Sequence, residues 1–274
     1  MSRQRKAYKK TINDHIWFFR MNGRGRDLGL IGYYGEQKLS SGGIMIAKDI
    51  IGKTKVYKQF AYFSTIQEFL NHMAKFHPSD WNFYEIVGAT TLQQKPYFDI
   101  DIVLTELLIP NTDPDETVVK VLLVIVKQIV FQLQQSYKII IKSGDVSIYT
   151  TKYKRIIPIG NKLYPEKYSY HIVIQNYYFS DFKKMRVFGK HVKHKLGNPS
   201  CIDVIWGKSR QFRLLHSGKG NLDNEISPKE VLSFNERKEI LKECPYLLNE
   251  RSGNPLFDFL KSFVSIVNLC KLLE

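Results

Sequence analysis

The segment KPYFDIDIVL (residues 95–104) has the composition of a buried β-strand, yet it contains two aspartates one residue apart. Side chains alternate between the two faces of a strand, so Asp99 and Asp101 share one face and the apolar residues share the other. The apolar face predicts that this strand lies in the protein core. The two acids, with α-carbons about 7 Å apart, predict either a shared site or an exposed strand face without function.

Two carboxylates so close together repel each other unless a cation lies between them. The divalent ions Mg²⁺ and Mn²⁺ prefer oxygen ligands and also bind the phosphates of nucleotide substrates. A metal site is therefore one hypothesis for Asp99 and Asp101, and a later acid, Asp203 in the short apolar segment CIDVIW (residues 201–206), is a candidate third ligand.

The segment EKYSYHIVI (residues 166–174) shows the same alternation. Lys167, Ser169 and His171 share one face of the predicted strand, and tyrosine and isoleucine side chains share the other. An ammonium group, a hydroxyl and an imidazole in one row are suited to binding phosphate oxygens, because they combine charge with directed hydrogen-bond donors.

Cationic residues follow Asp203 in the segment GKSRQFRLLHSGKGN (residues 207–221). Arg213 lies on a predicted strand, Arg210 at its start and Lys219 in the glycine-containing loop beyond it. Cations beside a carboxylate site can neutralise the negative charge of a triphosphate during phosphoryl transfer. Strand parity places Arg210 on the face opposite Arg213 unless the strand begins late.

The remaining pattern predicts a mixed α/β fold. Helices are predicted after a capping box at Ser64 and Gln67, after an N-cap at Asp113, over 180–196, from an N-cap at Ser227 and within 255–273. Strand, buried helix and strand (138–142) form a βαβ-like unit around the Asp113 helix. The further predicted strands are 30–35, 42–50, 55–63, 82–88, 168–175, 201–206 and 211–216.

The composition favours a globular protein that binds a polyanion. The chain has 274 residues, 43% of them hydrophobic, and a net charge of +15 from 41 Lys and Arg against 26 Asp and Glu. Such an excess favours nucleic acid as the partner, with an anionic membrane surface second. The basic N-terminus is interpreted as either a solvated tail or a phosphate-contacting arm, and GRGRDLG (residues 23–29) as a turn or a basic loop that touches DNA.

Three scattered cysteines predict an intracellular, reducing compartment and neither a disulfide framework nor a zinc ribbon. No segment has the length and apolarity of a membrane span, and the N-terminus lacks the apolar run of a secretory signal. The histidines of HVKH (residues 191–194) belong to a basic helix face and have no acid or cysteine partner for a metal. We expect the chain to be a fragment of a longer protein.

Three ordered motifs with their flanks resemble the archaeo-eukaryotic primases, in particular the primase-polymerase group and the primases of large DNA viruses. The resemblance covers about residues 82–219. The matching residues are the D-x-D pair Asp99 and Asp101, the S-x-H pair Ser169 and His171, the late acid Asp203 and the basic residues Arg210 and Arg213.

The resemblance implies an α/β (α+β) core of two modules, an N-terminal αβ module packed against an RRM-like sheet module with the active site in the cleft. The implied divisions are a basic arm (1–15), the αβ module (16–94), the RRM-like catalytic module (95–222) and a C-terminal helical region (223–274) that precedes further domains. The implied activity is DNA-template-directed nucleotidyl transfer on single-stranded DNA, by priming, extension or both, at the site of DNA replication.

The family pattern also implies roles for individual residues. Asp99, Asp101 and Asp203 would hold two Mg²⁺ or Mn²⁺ ions. Tyr84 would sense the 2′ position of the sugar. The residues that would bind the incoming NTP or dNTP are Lys167, Ser169, His171, Arg210, Arg213 and Lys219. Many relatives carry a zinc module or a helicase, and this chain contains neither motif, so a helicase would be a fused or separate partner.

Two other functions are compatible with the same segments. A catalytically silent single-strand-binding module would keep the sheet but have no use for clustered acids facing DNA phosphates. A metal-dependent nuclease would use the acids but not the triphosphate-binding residues. The three hypotheses predict, respectively, a longer product, binding alone and a shortened template.

Overall fold

The computed structural model describes residues 8–35, 39, 43–88, 93–107, 112–152, 156–206, 210–219, 228–245, 255–266 and 271–273. These residues form a mixed α/β fold in which the two larger sheets are antiparallel. The helices are α1 (Gly29–Tyr34), α2 (Ile66–Met73), α3 (Pro114–Tyr137), α4 (Phe182–Lys195), α5 (Phe234–Glu243) and α6 (Pro255–Lys261).

The strands are numbered in chain order. They are β1 (Lys9–Ile12), β2 (His15–Phe18), β3 (Ile44–Ile51), β4 (Val56–Phe63), β5 (Phe83–Val87), β6 (Tyr97–Val103), β7 (Val146–Lys152), β8 (Ile156–Ile159), β9 (Lys162–Pro165), β10 (Lys167–Ile174), β11 (Tyr177–Phe179), β12 (Arg210–Arg213), β13 (Glu230–Val231) and β14 (Lys271–Leu273).

The first large sheet has six strands in the order β1-β2-β4-β3-β5-β12. Five of them come from the first ninety residues, and β12 joins from far later in the chain. The register aligns one residue from each strand in a row across the sheet. This row consists of Lys9, Phe18, Phe60, Ala47, Tyr84 and Arg213.

The second large sheet has the order β13-β7-β10-β6. Because β6 and β7 both pair antiparallel with β10, they run parallel to each other with β10 between them. Helix α3 connects β6 to β7, so these elements form a split βαβ unit. On the open edge of β6, Ile202 forms an isolated bridge with Ile100, so the segment around Ile202 lies beside β6 on the side away from β10.

Helices α3 and α4 cover the apolar face of the second sheet. The N-cap Asp113 accepts hydrogen bonds from the backbone of Asp115 and Glu116, and Pro114 occupies the first turn, as the sequence predicts. The inner face of α3 buries a row of aliphatic side chains, and α4 places Phe188 against Phe98 of β6. Each large apolar side chain buried in this way contributes about 1.5–3 kcal/mol, so the core fixes which face of β6 points outward.

The predicted strand at residues 30–35 is wrong, because this segment forms helix α1. Gly29, in the left-handed region at φ +62°, turns the chain, and the Leu30 amide donates to the Arg20 carbonyl oxygen at 2.9 Å. The helix then places Leu30 on the apolar face that contains Phe18. Tyr33 and Tyr34 suit a strand by composition, but they pack against each other edge to face on the helix.

The predicted strand at residues 138–142 is also absent. Lys138 adopts the left-handed conformation that ends α3, and the Lys142 amide donates to the Asp145 carboxylate in a turn. Within the described residues, this segment pairs with no strand. The second strand of the βαβ unit is instead β7, which begins at Val146.

The observed beginnings and ends of three other helices also differ from the predicted ones. Thr65, one residue after the predicted cap, caps α2. Ser227 lies outside the described residues, but Glu230 belongs to strand β13 and the next helix is capped by a box of Ser233 and Glu236. Within 255–273, the helix ends at Lys261. Among the residues described, no helix is both long and apolar enough to cross a membrane.

Candidate active site

The two aspartates of β6 lie on the outward face, as the alternation predicts. Asp99 and Asp101 are partly exposed, whereas Phe98, Ile100 and Ile102 are completely buried. The apolar residues pack under α3 and α4, so the strand cannot slip by one residue without burying both carboxylates. The core therefore holds the acids on the side of the sheet away from the helices.

Asp203 joins these acids through backbone pairing. The Asp203 amide donates to the Asp99 carbonyl oxygen at 3.0 Å, and the Asp101 amide donates to the Cys201 carbonyl oxygen at 2.7 Å. This antiparallel register places Asp203 opposite Asp99 and on the same face. The segment 201–206 is predicted as a strand, but its described pairing with β6 is limited to the Ile202 bridge.

The predicted phosphate-binding strand lies directly beside the acids. His171 pairs with Asp99 and Ser169 pairs with Asp101 across the β6–β10 ladder, so their side chains share one face. Lys167 Nζ contacts Asp101 Oδ2 at 2.6 Å, and His171 Nε2 lies 3.5 Å from Asp99 Oδ1. The structure thus brings together the two motifs that the sequence separates by about seventy residues.

A stacking contact fixes the His171 imidazole. Its ring lies 3.9 Å, centroid to centroid, from the Phe212 ring at an interplanar angle of 19°. Phe212 belongs to β12 of the six-stranded sheet, so this contact joins the two sheets at the site. Burial lowers the pKa of His171 well below its usual value, and the cations Lys229 and Arg213 lower it further. The imidazole is therefore neutral near pH 7.

The carboxyl group of Asp99 has a raised pKa. Burial raises its pKa to about 6, and the carboxylates of Asp101 and Asp203 add to the increase. Lys229 and Arg213 act in the opposite direction by stabilising the ionised form. Two other acids and two cations thus affect the Asp99 carboxyl group, which shows that they lie within electrostatic range of it.

Lys229 is a functional candidate that sequence reasoning missed. Its side chain is completely buried, and its Nζ lies 3.5 Å from the Ser169 carbonyl oxygen. Burial lowers the pKa of Lys229 well below its usual value, with Arg213 contributing, whereas Asp99 and Asp101 raise it. Because residues 227–230 were predicted to begin a helix, nothing in the local pattern indicated that this lysine enters the site.

Arg213 and Lys219 lie within electrostatic range of Lys58, whose ion-pair partner is the buried carboxylate of Asp49. Both cations lower the pKa of Lys58, although burial is the larger cause. Lys58 Nζ forms an ion pair with Asp49 and lies 3.7 Å from the centroid of the Tyr84 ring. Lys58, with its partner Asp49, is thus a further candidate residue beside the cations of the site, and no sequence motif indicated either of them.

Tyr84 and Arg210 differ in their relation to the site. Tyr84 lies opposite Arg213 in the β5–β12 ladder, and its hydroxyl donates to Asp49 Oδ2 at 2.7 Å. Arg210 begins β12, is exposed and lies on the face opposite Arg213. The structure therefore places Tyr84 beside the cations and separates Arg210 from Arg213.

The donor set fits a hard divalent cation in its chemistry. Asp99 Oδ1 is buried and makes no hydrogen bond within the described residues, which leaves a carboxylate oxygen available as a ligand. In the arrangement described, however, no group of three or more acid, histidine or cysteine side chains is close enough to hold a metal ion. Asp99, Asp101 and Asp203 share a face, and side-chain rotation is needed for all three to converge.

A cavity of about 550 Å³ lies on the other side of the four-stranded sheet, between α3 and α5. Tyr168 and Tyr170, which alternate with the donors of β10, form its floor, and the Tyr168 hydroxyl contacts Asp115. Its rim contains the carboxylates Glu116, Glu236, Glu239 and Glu243. Because these negative charges repel phosphates, we assign the candidate active site to the opposite face, with the aspartates and cations.

No protein-family model and no curated protein sequence matches this chain.

Proposed function

We propose that this protein catalyses DNA-template-directed nucleotidyl transfer on single-stranded DNA, as a primase, a DNA polymerase or both, and that it is related to the archaeo-eukaryotic primases. The observation that supports this most directly is the register of β6 and β10. It aligns Asp99 with His171 and Asp101 with Ser169 on one sheet face, with Asp203 on the flanking segment.

The acids and the donors would have separate roles. Asp99, Asp101 and Asp203 would hold Mg²⁺ or Mn²⁺, which would activate the attacking hydroxyl and neutralise charge on the triphosphate. The incoming nucleotide would bind through donors on the second strand and cations beyond it. These residues are Lys167, Ser169, His171, Arg213 and Lys219.

The neutral state of His171 suits this role. A neutral imidazole donates one hydrogen bond to a phosphate oxygen from a fixed ring nitrogen, and stacking on Phe212 fixes the direction of that bond. When it is protonated, Lys229 would favour the ionised state of Asp99, because its ammonium group stabilises the carboxylate. Lys229 is thus a positioning residue beneath the acids.

The sheet arrangement supports the two-module description. The split βαβ unit β6-α3-β7, with β10 between its strands, α4 after β10 and the 201–203 segment beside β6, follows the connectivity of ferredoxin-like and RRM-like sheets. The six-stranded sheet would be the core of the N-terminal module. The contact between His171 and Phe212 lies where the two sheets meet.

Nucleotide incorporation tests the proposal. The chain would be incubated with a labelled primer on a single-stranded template, and with the template alone, in the presence of Mg²⁺ or Mn²⁺ and nucleotides. We expect product longer than the primer from the wild type and none from Asp99→Asn/Asp101→Asn. Asp14→Asn, an exposed acid outside the site, serves as the matched control.

Each alternative predicts a different result in the same assay. A shortened template that depends on the two aspartates would indicate a nuclease. Retention of the oligonucleotide without any new product would indicate a binding module. Incorporation that persists in the double variant would overturn the assignment of the acids.

A further inference from the structure

We propose that a surface at the end of the β1–β2 hairpin binds single-stranded nucleic acid by base stacking and phosphate contact. This surface, called here the aromatic–arginine patch, surrounds a cavity of about 470 Å³. It consists of Tyr8, Phe19, Arg20, Arg24 and Arg26. None of these residues belongs to the candidate active site.

Two exposed aromatic rings lie at adjacent positions in the patch. The Tyr8 and Phe19 side chains are 63% and 49% exposed, although large aromatic groups usually lie in the core. The Phe19 amide donates to the Tyr8 carbonyl oxygen at 3.2 Å, so the backbone fixes the two residues next to each other. Exposed rings held by a sheet can stack with unpaired bases of any sequence.

The arginines are presented by a tightly closed loop. The amides of Arg24 and Asp27 each donate to the other residue's carbonyl oxygen, at 2.9 and 3.1 Å. The buried Asp27 carboxylate accepts from the Gly29 and Tyr8 amides, which joins the loop to the start of β1. Within the described part of the chain, Arg24 and Arg26 are exposed and form no ion pair.

These features favour a single strand over other polyanions. The charge of the loop would attract any polyanion, including duplex DNA and anionic lipid. Stacking on Tyr8 and Phe19 requires bases that are not already paired and stacked within a duplex. Arginine beside aromatic rings is the combination that single-strand-binding surfaces use, with phosphates on the cations and bases on the rings.

The position of the patch relates it to the proposed function, on which this step alone rests. Lys9 and Phe18, the neighbours of Tyr8 and Phe19 in sequence, occupy one end of the cross-strand row whose other end is Arg213. Five strand spacings separate the two ends by about 24 Å. A single nucleic-acid strand with a rise of about 3.4 Å per nucleotide covers that distance in about seven nucleotides. Because Tyr8 and Phe19 alternate with Lys9 and Phe18, their rings begin on the sheet face opposite Arg213, so a template that contacts both places would be longer than this and pass around the β1 edge.

Binding of a labelled 20-nucleotide single strand without secondary structure, measured by fluorescence anisotropy over a salt series without nucleotides or metal, tests the patch. We expect Phe19→Ala to weaken binding at least about fivefold and Phe19→Trp to restore it, because stacking needs an aromatic plane. Arg24→Ala/Arg26→Ala should lower the slope of log K against log salt by about 1.4.

The matched control is Lys184→Ala/Lys190→Ala, which removes the same charge from exposed positions on α4. We expect this pair to change the affinity less than about twofold. If it weakens binding more than the arginine pair does, while Phe19→Ala has no effect, the patch is not the binding surface. Equal loss of duplex binding in Phe19→Ala would also overturn the proposal, because paired bases cannot stack on the ring.

Two further measurements distinguish a single-strand site from a membrane site and from the candidate active site. Loss of binding to anionic phosphatidylserine vesicles in the arginine pair, with single-strand binding unchanged, would assign the patch to a membrane surface and overturn the proposal. Asp99→Asn should bind the single strand as the wild type does. The patch can therefore fail while nucleotidyl transfer is observed, and the proposed activity can fail while the patch binds DNA.

Discussion

The strand face on which Asp99 lies could be predicted from the sequence, but the groups that surround its carboxyl group could not. Strand alternation correctly places it on the outward face of β6. Burial and the carboxylate of its neighbour Asp101 raise its pKa, and groups on three other segments also act on it: Asp203 raises the pKa, whereas Lys229 and Arg213 lower it. Those groups are distant in sequence, so no local pattern indicates that this carboxyl group differs from Asp101, which forms an ion pair with Lys167.

The burial of His72 leads us to expect a measurable loss of folding stability in mild acid. Its imidazole is 4% exposed and accepts a hydrogen bond from Trp17 Nε1 at 3.2 Å. Burial, with a contribution from the neighbouring His15, lowers the pKa of His72 from 6.5 to about 4. Between these values the unfolded chain binds the proton and the folded chain does not. Stability is therefore lost as the pH falls from 6.5 to 4.

Urea unfolding at a series of pH values between 7 and 4.5 measures this effect. We expect His72→Gln, which keeps an acceptor for Trp17, to reduce the pH dependence of the unfolding free energy by up to about 1.4 kcal/mol per pH unit. His194→Gln, at an exposed position on α4, is the control. An unchanged slope in His72→Gln would contradict the assignment of the acid sensitivity to this residue.

The polar residues of the site were predictable only where they follow strand alternation. Lys167, Ser169 and His171 alternate with buried residues on β10, so their shared face follows from the sequence. Lys58 and Lys229 lie in segments where the surrounding pattern indicates an ordinary strand and a helix cap. Lys58 and Lys229 reach the site through the pairing of segments that are distant in the sequence, and a local sequence pattern does not show such pairing.

Among the secondary-structure elements, long segments with caps were predicted best. Helix α3 has an N-cap, a proline in its first turn and a long apolar face, and the structure confirms all three. Short apolar segments were predicted worst, as α1 and residues 138–142 show. A six-residue apolar segment satisfies either periodicity, so the outcome depends on the available partners. Leu30 packs on the apolar face of a sheet, whereas residues 138–142 pair with no strand among the described residues.

The packing of helix α4 on Trp206 predicts how a substitution at Gly189 changes stability. Replacing glycine by alanine within a helix usually stabilises a protein by about 1 kcal/mol. At this position, however, a Cβ atom would lie 2.6 Å from the indole ring of Trp206. Trp206 is buried and donates from Nε1 to the Tyr97 carbonyl oxygen at 2.9 Å, so the ring cannot move without loss. We expect Gly189→Ala to destabilise the fold by about 1–3 kcal/mol.

Chemical denaturation of Gly189→Ala and Val187→Ala measures this difference. Val187 is 68% exposed on the same helix, so its replacement by alanine should stabilise slightly, by less than about 0.7 kcal/mol. Gly189→Ala/Trp206→Phe should recover part of the stability that Gly189→Ala loses. A stabilised Gly189→Ala variant would contradict the close packing of α4 on Trp206.

In the whole molecule, the sheets take strands from distant parts of the chain. β12 completes the sheet of the first ninety residues, and β13 completes the sheet that contains β6. Glu85 and Lys95 further join the N-terminal half to residues 263–265. Glu85 accepts from the Val264 and Ser265 amides, and Lys95 Nζ donates to the Phe263 carbonyl oxygen. The sequence predicts the fold class, but these pairings depend on global packing.

The most direct measurement of the central proposal is the rate of primer extension on a single-stranded template by the wild type and by three single variants. Asp99→Asn, Asp101→Asn and Asp203→Asn should each lower the rate by at least about 100-fold. Circular dichroism should show that all three remain folded, and Asp14→Asn should extend as the wild type does. Extension by any of the three at the wild-type rate would contradict the account of a shared site.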